Sequence, residues 1–125
     1  MAFSASTPVQ SYKDLIVWQK AIELVVAVYE ITEKFPKQEQ YGLSSQMRRC
    51  AVSIPSNIAE GSRRSTRKDF RNFVNISFGS GAELETQVVI AKKLLFGKNL
   101  DFSKVDSLLD EVMKMLNKMI NSLNS

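Results

Sequence analysis

All six arginines of this 125-residue chain fall in one stretch, QMRRCAVSIPSNIAEGSRRSTRKDFR, from Gln46 to Arg71. They are Arg48, Arg49, Arg63, Arg64, Arg67 and Arg71; Lys68 joins them, and only Glu60 and Asp69 oppose them. The formal charge of the whole chain is +4, so the basic character is local. Every cation outside the stretch is a lysine. A guanidinium fork suits phosphate and carboxylate oxygens in pairs, whereas an ammonium is a hydrated point charge. The chemistry on offer is therefore anion recognition. Bond-making groups are scarce. With no histidine in the chain, the commonest general base and metal ligand are missing. Cys50 has no histidine to activate it. Neither a GxGxxG nor a GxxxxGK[ST] phosphate loop occurs, and Gly79 and Gly81, in FGSGAE, follow no strand-like text. These residues lead us to expect no enzyme, no metal and no cofactor.

Three readings of the arginines compete. In the first, Arg48, Arg49, Arg63, Arg64, Arg67, Lys68 and Arg71 meet the phosphates of RNA or DNA; there is no strong base-reading signature, since the nearby Phe70 and Phe73 lie on a core stripe and are expected to be buried. Arg63, Arg64 and Arg67 sit at a turn, where side chains are least needed for packing. Arg48 and Arg49 lie within a helix, close to its apolar stripe, and are expected to have structural partners. In the second, the chain is a protein-interaction scaffold whose arginines pair with Glu60, Glu83 or Glu85 across helices or subunits. In the third, the stretch is a solvated basic face with no ligand.

The length fits one domain, residues 11–125, behind a small, polar and aperiodic segment, 1–10, expected to be a mobile tail. At 44% hydrophobic and 24% charged residues, the composition is that of an ordinary globular chain. No apolar run approaches the ~18–20 residues of a membrane span. MAFSASTPVQ lacks the basic start and apolar middle of a secretory signal. With one cysteine, no internal disulfide can form, and we expect a cytoplasmic protein.

Helical periodicity predicts helices over about 12–35, 38–61, 66–96 and 103–123. Ser11/Asp14, Thr66/Asp69 and Ser103/Asp106 each have the spacing of a capping pair. The first helix carries two apolar stripes: Leu15, Trp18, Ile22, Val25, Val26 and Tyr29 on one face, and Val17, Leu24, Val28, Ile31 and Phe35 on nearly the opposite one. A surface helix needs one stripe, so we expect a homo-oligomer whose interface uses Val17, Leu24, Val28 or Ile31. In the second helix Leu43, Met47, Cys50, Ile54 and Ile58 line up, with a kink expected at Pro55. The third stripe reads Phe70, Phe73, Ser77, Gly81, Leu84, Val88, Ala91 and Leu95, with small residues in its middle where a neighbouring backbone could approach. The fourth helix is plainly amphipathic. No strand-like alternation appears, and short connections imply an all-α, up-and-down antiparallel four-helix bundle.

Three runs carry a resemblance. DLIVWQKAIELVVAVYEIT (14–32), GLSSQMRRCAVSIPSNIAEG (42–61) and FVNISFGSGAELETQVVIAKKL (73–94) resemble the four-helix-bundle proteins encoded in intervening sequences of bacterial 23S ribosomal RNA genes. The likeness spans about residues 12–123, and Ser53, Pro55, Asn57, Glu60 and Gly61 belong to its most specific run. Cys50 stands where that pattern usually has alanine. The resemblance implies a left-handed up-and-down bundle with no assigned catalytic residue. It also implies likeness to the accessory protein of diversity-generating retroelements, a ring-shaped pentamer that binds nucleic acid and a reverse transcriptase. A pentamer, and a reverse transcriptase or ribosomal partner, are expectations on that ground alone.

Overall fold

The computed structural model describes residues 11–124. The expected tail, 1–10, and Ser125 lie outside the described residues. Four α-helices follow one another: α1 (Ile16–Thr32), α2 (Leu43–Ser62), α3 (Arg67–Lys93) and α4 (Ser103–Leu123). Short 3-10 turns at Tyr12–Asp14, Lys37–Glu39 and Leu95–Asn99 precede or join them, and the described residues form no strand. Each helix packs on its two neighbours in a closed square, α1 on α2 and α4, and α3 on α2 and α4. This is the expected four-helix bundle. The α2–α3 pairing is its most extensive seam.

Local chemistry explains the boundaries. Ser11 and Asp14 form the predicted reciprocal cap, but on a single 3-10 turn; the chain is extended at Leu15 (ψ 126°), and α1 starts one residue later. Thr66 caps α3 as predicted, accepting from the Asp69 amide at 3.1 Å. Ser103 does not cap α4. Asp101 does so in its place, accepting from the Ser103 amide at 2.9 Å, and Asp106 instead binds Lys92 of α3 at 2.7 Å. That backbone hydrogen bond holds the Asp101 carboxyl below its ordinary pKa. α2 starts five residues later than expected because Lys37–Gly42 make tight turns, and Glu39 accepts from the Leu43 amide at 3.2 Å. Pro55 sits inside a helix assigned without a break from Leu43 to Ser62.

The core settles which stripe of α1 faces inward. Val17, Leu24, Val28 and Ile31, expected at a subunit interface, are buried within the single chain, Leu24 and Val28 completely. Ala21 and Ala27, both buried, widen this stripe into a full core-facing surface and let the neighbours approach. Of the other stripe, Ile22, Val26 and Tyr29 are exposed, as is Ile16 nearby at 63%, while Trp18 and Val25 are half-buried and Leu15 is buried. On α3, Val74 is fully buried while Phe73 is only half-buried, and Leu95 is 83% exposed because the α-helix has already ended at Lys93. Ser77 meets a neighbouring backbone, donating to the Ile54 carbonyl of α2 at 2.9 Å, whereas Gly81 faces the side chain of Met113 on α4.

A candidate nucleic-acid interface at the arginine pole

The antiparallel order brings the start of the chain's first turn, the end of α2, the start of α3 and the end of α4 to one pole of the bundle. Arg63, Arg64, Arg67, Lys68 and Arg71 all stand there. Four of them are exposed and Arg71 is half-buried. Their partners among the described residues are as follows. The Arg63 guanidinium lies over the Tyr12 ring, 5.5 Å from its centroid, and Tyr12 meets Trp18 edge-on at 5.4 Å. Arg64 lies 4.6 Å over Phe73 and pairs with Glu60 at 2.7 Å. Arg67 crosses to α4 and donates to the Ser122 carbonyl at 2.8 Å. Arg71 donates to the Asn124 side-chain oxygen, also at the end of α4. Lys68 has no hydrogen-bond or ion-pair partner among the described residues.

These contacts position the cations without neutralising them. A cation beside the N-terminus of its own helix is disfavoured by the helix dipole, but Arg67 and Arg71 reach over to the C-terminal end of α4, where carbonyls point outward and positive charge is favoured. The ring contacts of Arg63 and Arg64 are each worth about 0.5–1 kcal/mol at an exposed site. Of these cations, only Arg64 pairs with a carboxylate among the described residues, in an i, i+4 pair that is exposed on both sides and of a class worth roughly 0.3–0.5 kcal/mol. Lys13, Arg63, Arg64, Arg67, Lys68 and Arg71 stand at this pole against Asp14, Glu60 and Asp69, so it stays net positive among the described residues. The far pole does not resemble it: Lys34, Lys37, Lys92, Lys93, Lys98 and Lys104 are interspersed there with Glu30, Glu33, Glu39, Asp101 and Asp106.

The two arginines inside α2 separate. Arg48 is built into the α1–α2 contact: its Nε donates to Thr32 Oγ1 at 2.8 Å, its terminal nitrogen lies 3.3 Å from Glu33, and it stacks 4.6 Å over Tyr29. Thr32 in turn donates to the Val28 carbonyl. Arg49 is exposed and has no hydrogen-bond or ion-pair partner among the described residues. Glu60 is taken by Arg64, and Glu83 accepts not from an arginine but from the Cys50 thiol, at 3.5 Å. Most ion pairs between helices belong to lysines: Lys20–Glu111, Lys92–Asp106 and Lys104–Glu30.

The signature residues shape the α2–α3 seam beneath the pole. Asn57 donates to the Ser53 carbonyl at 2.8 Å and to its hydroxyl at 3.0 Å; that hydroxyl shares a 2.8 Å hydrogen bond with Ser80 of α3. Pro55 is buried. Gly61 lies so close to α3 that a Cβ there would come within 2.6 Å of Phe73 Cβ. Further along the seam Cys50 sits between Glu83 and Gln87, whose amide donates to the sulfur at 3.4 Å. Burial, with the Glu83 carboxylate beside it, pushes the thiol pKa up, as suits a packed small side chain and not a nucleophile. Sequence reasoning missed Tyr12 and Trp18 as parts of the pole, since they arrive from the far end of the sequence; it placed Phe73 near the arginines but on the core stripe, and Phe73 is only half-buried while Phe70 is buried.

No group of three or more His, Cys, Asp or Glu side chains among the described residues could hold a metal ion, and no helix there is long and apolar enough to cross a membrane. A comparison with curated proteins finds no match. Among solved structures, the chain is similar to a protein of unknown function from the S23 ribosomal protein family of Bacteroides thetaiotaomicron: 24% identity, 84% of this chain and 98% of that one covered, TM-score 0.72. That likeness is one of fold. The family described as 23S rRNA-intervening sequence protein matches residues 13–118, from the first turn through most of α4, and the chain belongs to that family.

Proposed function

We propose that this protein is a non-enzymatic oligomer that binds nucleic acid through its arginine pole, reading backbone charge and shape more than sequence. One observation carries the reading: Arg63, Arg67 and Arg71 are held by neutral partners, a ring, a carbonyl and an amide oxygen, so they are oriented while their charge stays available. Side chains already ordered lose less entropy when a phosphate arrives. Several copies side by side would join these patches into a basic belt whose field steers a polyanion. The test is binding of RNA and DNA over a salt series on a sample of known mass. Replacing Arg63, Arg64 and Arg67 by alanine should weaken binding to all sequences alike and flatten the log–log salt slope by about 0.9 per lost contact on duplex. A wild-type protein that ignores both nucleic acids at low salt sinks the proposal.

Self-association is proposed on the outward stripe of α1, Ile22, Val26 and Tyr29, together with exposed Ile76, Val89 and Ile90 of α3. α1 and α3 stand diagonally across the bundle, so these are two separate faces, and each offers exposed apolar side chains of the kind that mark an interaction site. A pentamer follows from the family resemblance alone. The alternative reading, a protein-interaction scaffold with ion pairs between subunits, is supported by those same apolar faces and by exposed Arg49 and Glu85, which meet no ion-pair partner within the described chain. A defined oligomer that binds no nucleic acid would favour it. A reverse transcriptase or ribosomal partner stands on the family resemblance in the same way, whereas a cytoplasmic location is proposed from the single cysteine, which suits a reducing compartment.

A further inference from the structure

We infer that the arginine pole takes single-stranded nucleic acid, with an unpaired base stacked at the Tyr12–Trp18 pair in the place where the Arg63 guanidinium now lies. This rests on the nucleic-acid reading above and names the form of the ligand. Three features of the pole point to it. Two of the cations lie on aromatic faces, Arg63 on Tyr12 and Arg64 on Phe73, and the Tyr12, Trp18 and Phe73 rings are half-buried and so reach the surface. Both covering side chains are exposed, and that of Arg63 has no hydrogen-bond or ion-pair partner among the described residues, so a base can displace it at the cost of the ring contact alone. A planar cation on a ring occupies the position that a planar base would take, and the displaced guanidinium then stands within reach of that base's own phosphate.

The form of the ligand follows from what a ring can touch. In a duplex the base faces are stacked on each other and only edges and backbone are offered. Aromatic faces add affinity only for bases that have left the stack. The phosphates on either side of such a base would meet Arg67, Lys68 and Arg71, which continue from the same turn along the first turns of α3. Tyr12 is placed for this by the capped turn Tyr12–Asp14, which is fastened at Ser11 and lies against the end of α2. Single-stranded RNA and single-stranded DNA share this chemistry.

Trp18 is the single tryptophan of the chain and stands at the site, so its emission reports occupancy directly. The experiment compares equal-length single-stranded RNA, single-stranded DNA, duplex DNA and an abasic deoxyribose-phosphate strand, by anisotropy of the labelled strand and by Trp18 fluorescence, on the full chain at low salt. Base-bearing single strands should bind on the order of 10-fold more tightly than the abasic strand and should change Trp18 emission. The duplex and abasic strand should leave that emission unchanged. Tyr12→Ala should abolish the difference without altering abasic binding, and Tyr12→Phe should keep it. Should Tyr12→Ala disturb the fold, Tyr12→Leu, which retains apolar volume without a π face, takes its place. Equal RNA and DNA affinities, or a preference for RNA through its 2′-hydroxyl, both support the inference. Base-bearing and abasic strands that bind equally, with Trp18 silent, overturn it and leave the charge-driven function standing. Failure of every strand to bind overturns both.

Discussion

Gly61→Ala should destabilise the bundle, while the same change at Gly79 should stabilise it. Both glycines lie in α-helices, so both substitutions gain helix propensity, up to about 1 kcal/mol in a helix interior. The difference is what the new methyl meets. At Gly79 there is nothing within 4 Å. At Gly61 the methyl carbon would stand 2.6 Å from Phe73 Cβ, 3.0 Å from Phe70 Cδ1 and 3.3 Å from the Phe70 carbonyl oxygen. Carbon atoms rest at about 3.5–4.0 Å, so the end of α2 and the start of α3 would have to part by roughly 1 Å. Neither Cβ nor a backbone carbonyl can swing aside as a long side chain does. Overpacking of this kind is destabilising by about 1–3 kcal/mol, and near the helix end the propensity gain offsets only part of it. A net loss of about 1–2 kcal/mol corresponds to a fall in Tm of roughly 4–8 °C for a chain of this size, against a rise of a few degrees for Gly79→Ala. Thermal melts of the two variants beside the wild type, followed by far-ultraviolet circular dichroism, decide the matter. If Gly61→Ala melts at or above Gly79→Ala, the close approach of α2 to α3 is not what glycine serves there. Because Phe73 carries Arg64 on its ring, Gly61→Ala should also weaken nucleic-acid binding more than its loss of stability explains.

Arg48→Ala removes hydrogen bonds to Thr32 and Glu33 and the stacking on Tyr29, and should lower stability by about 1–2 kcal/mol in urea unfolding; Arg49→Ala, at an exposed and unpartnered position, should stay within about 0.5 kcal/mol. Burial raises the Cys50 thiol above its ordinary value of 9.0, so the unfolded chain ionises first, and stability is full below that value and falls as pH rises through it. The gap in urea midpoint between wild type and Cys50→Ala should therefore shift against the wild type from pH ~7 to pH ~10, and a constant gap would refute the linkage. The double change Ile22→Lys and Val26→Lys should reduce the mass seen by light scattering while leaving the monomer folded, because both side chains point outward. Leu24→Ala, at a fully buried position, should instead lower stability by about 2–5 kcal/mol whatever the assembly.

Architecture was open to sequence reasoning because each helix announces itself by period, cap and stop. α4 matches its expected bounds, Ser103–Leu123, in full, although its N-terminal amide is held by Asp101 and not by Ser103. The inward face of α1 was not open in the same way. Two stripes of similar apolarity compete there, and the deciding residues are Ala21 and Ala27, which score as weakly hydrophobic yet permit the closest packing. The grouping of Arg63, Arg64, Arg67, Lys68 and Arg71 needed only the chain order. What surrounds them depends on contacts with Tyr12, Ser122 and Asn124, residues some 50 positions away in the chain, and no local pattern encodes those. Cys50 was readable as a packed side chain from its place on the α2 stripe, whereas its pairing with Glu83 and Gln87 required the register of α2 against α3.

Tyr12 under Arg63 and Asn124 beside Arg71 place both ends of the described chain on the arginine pole. A segment attached directly beside Tyr12 or Asn124 therefore leaves the bundle next to the cations. An acidic purification tag would act as a tethered competitor, held at the high effective concentration that a short flexible linker confers. Such a tag would lower apparent affinity with no binding residue substituted. The turns at Lys37–Gly42 and Gly97–Asp101 lie at the opposite end of the bundle. A fluorophore or epitope inserted there would report on the molecule from the full length of a helix away.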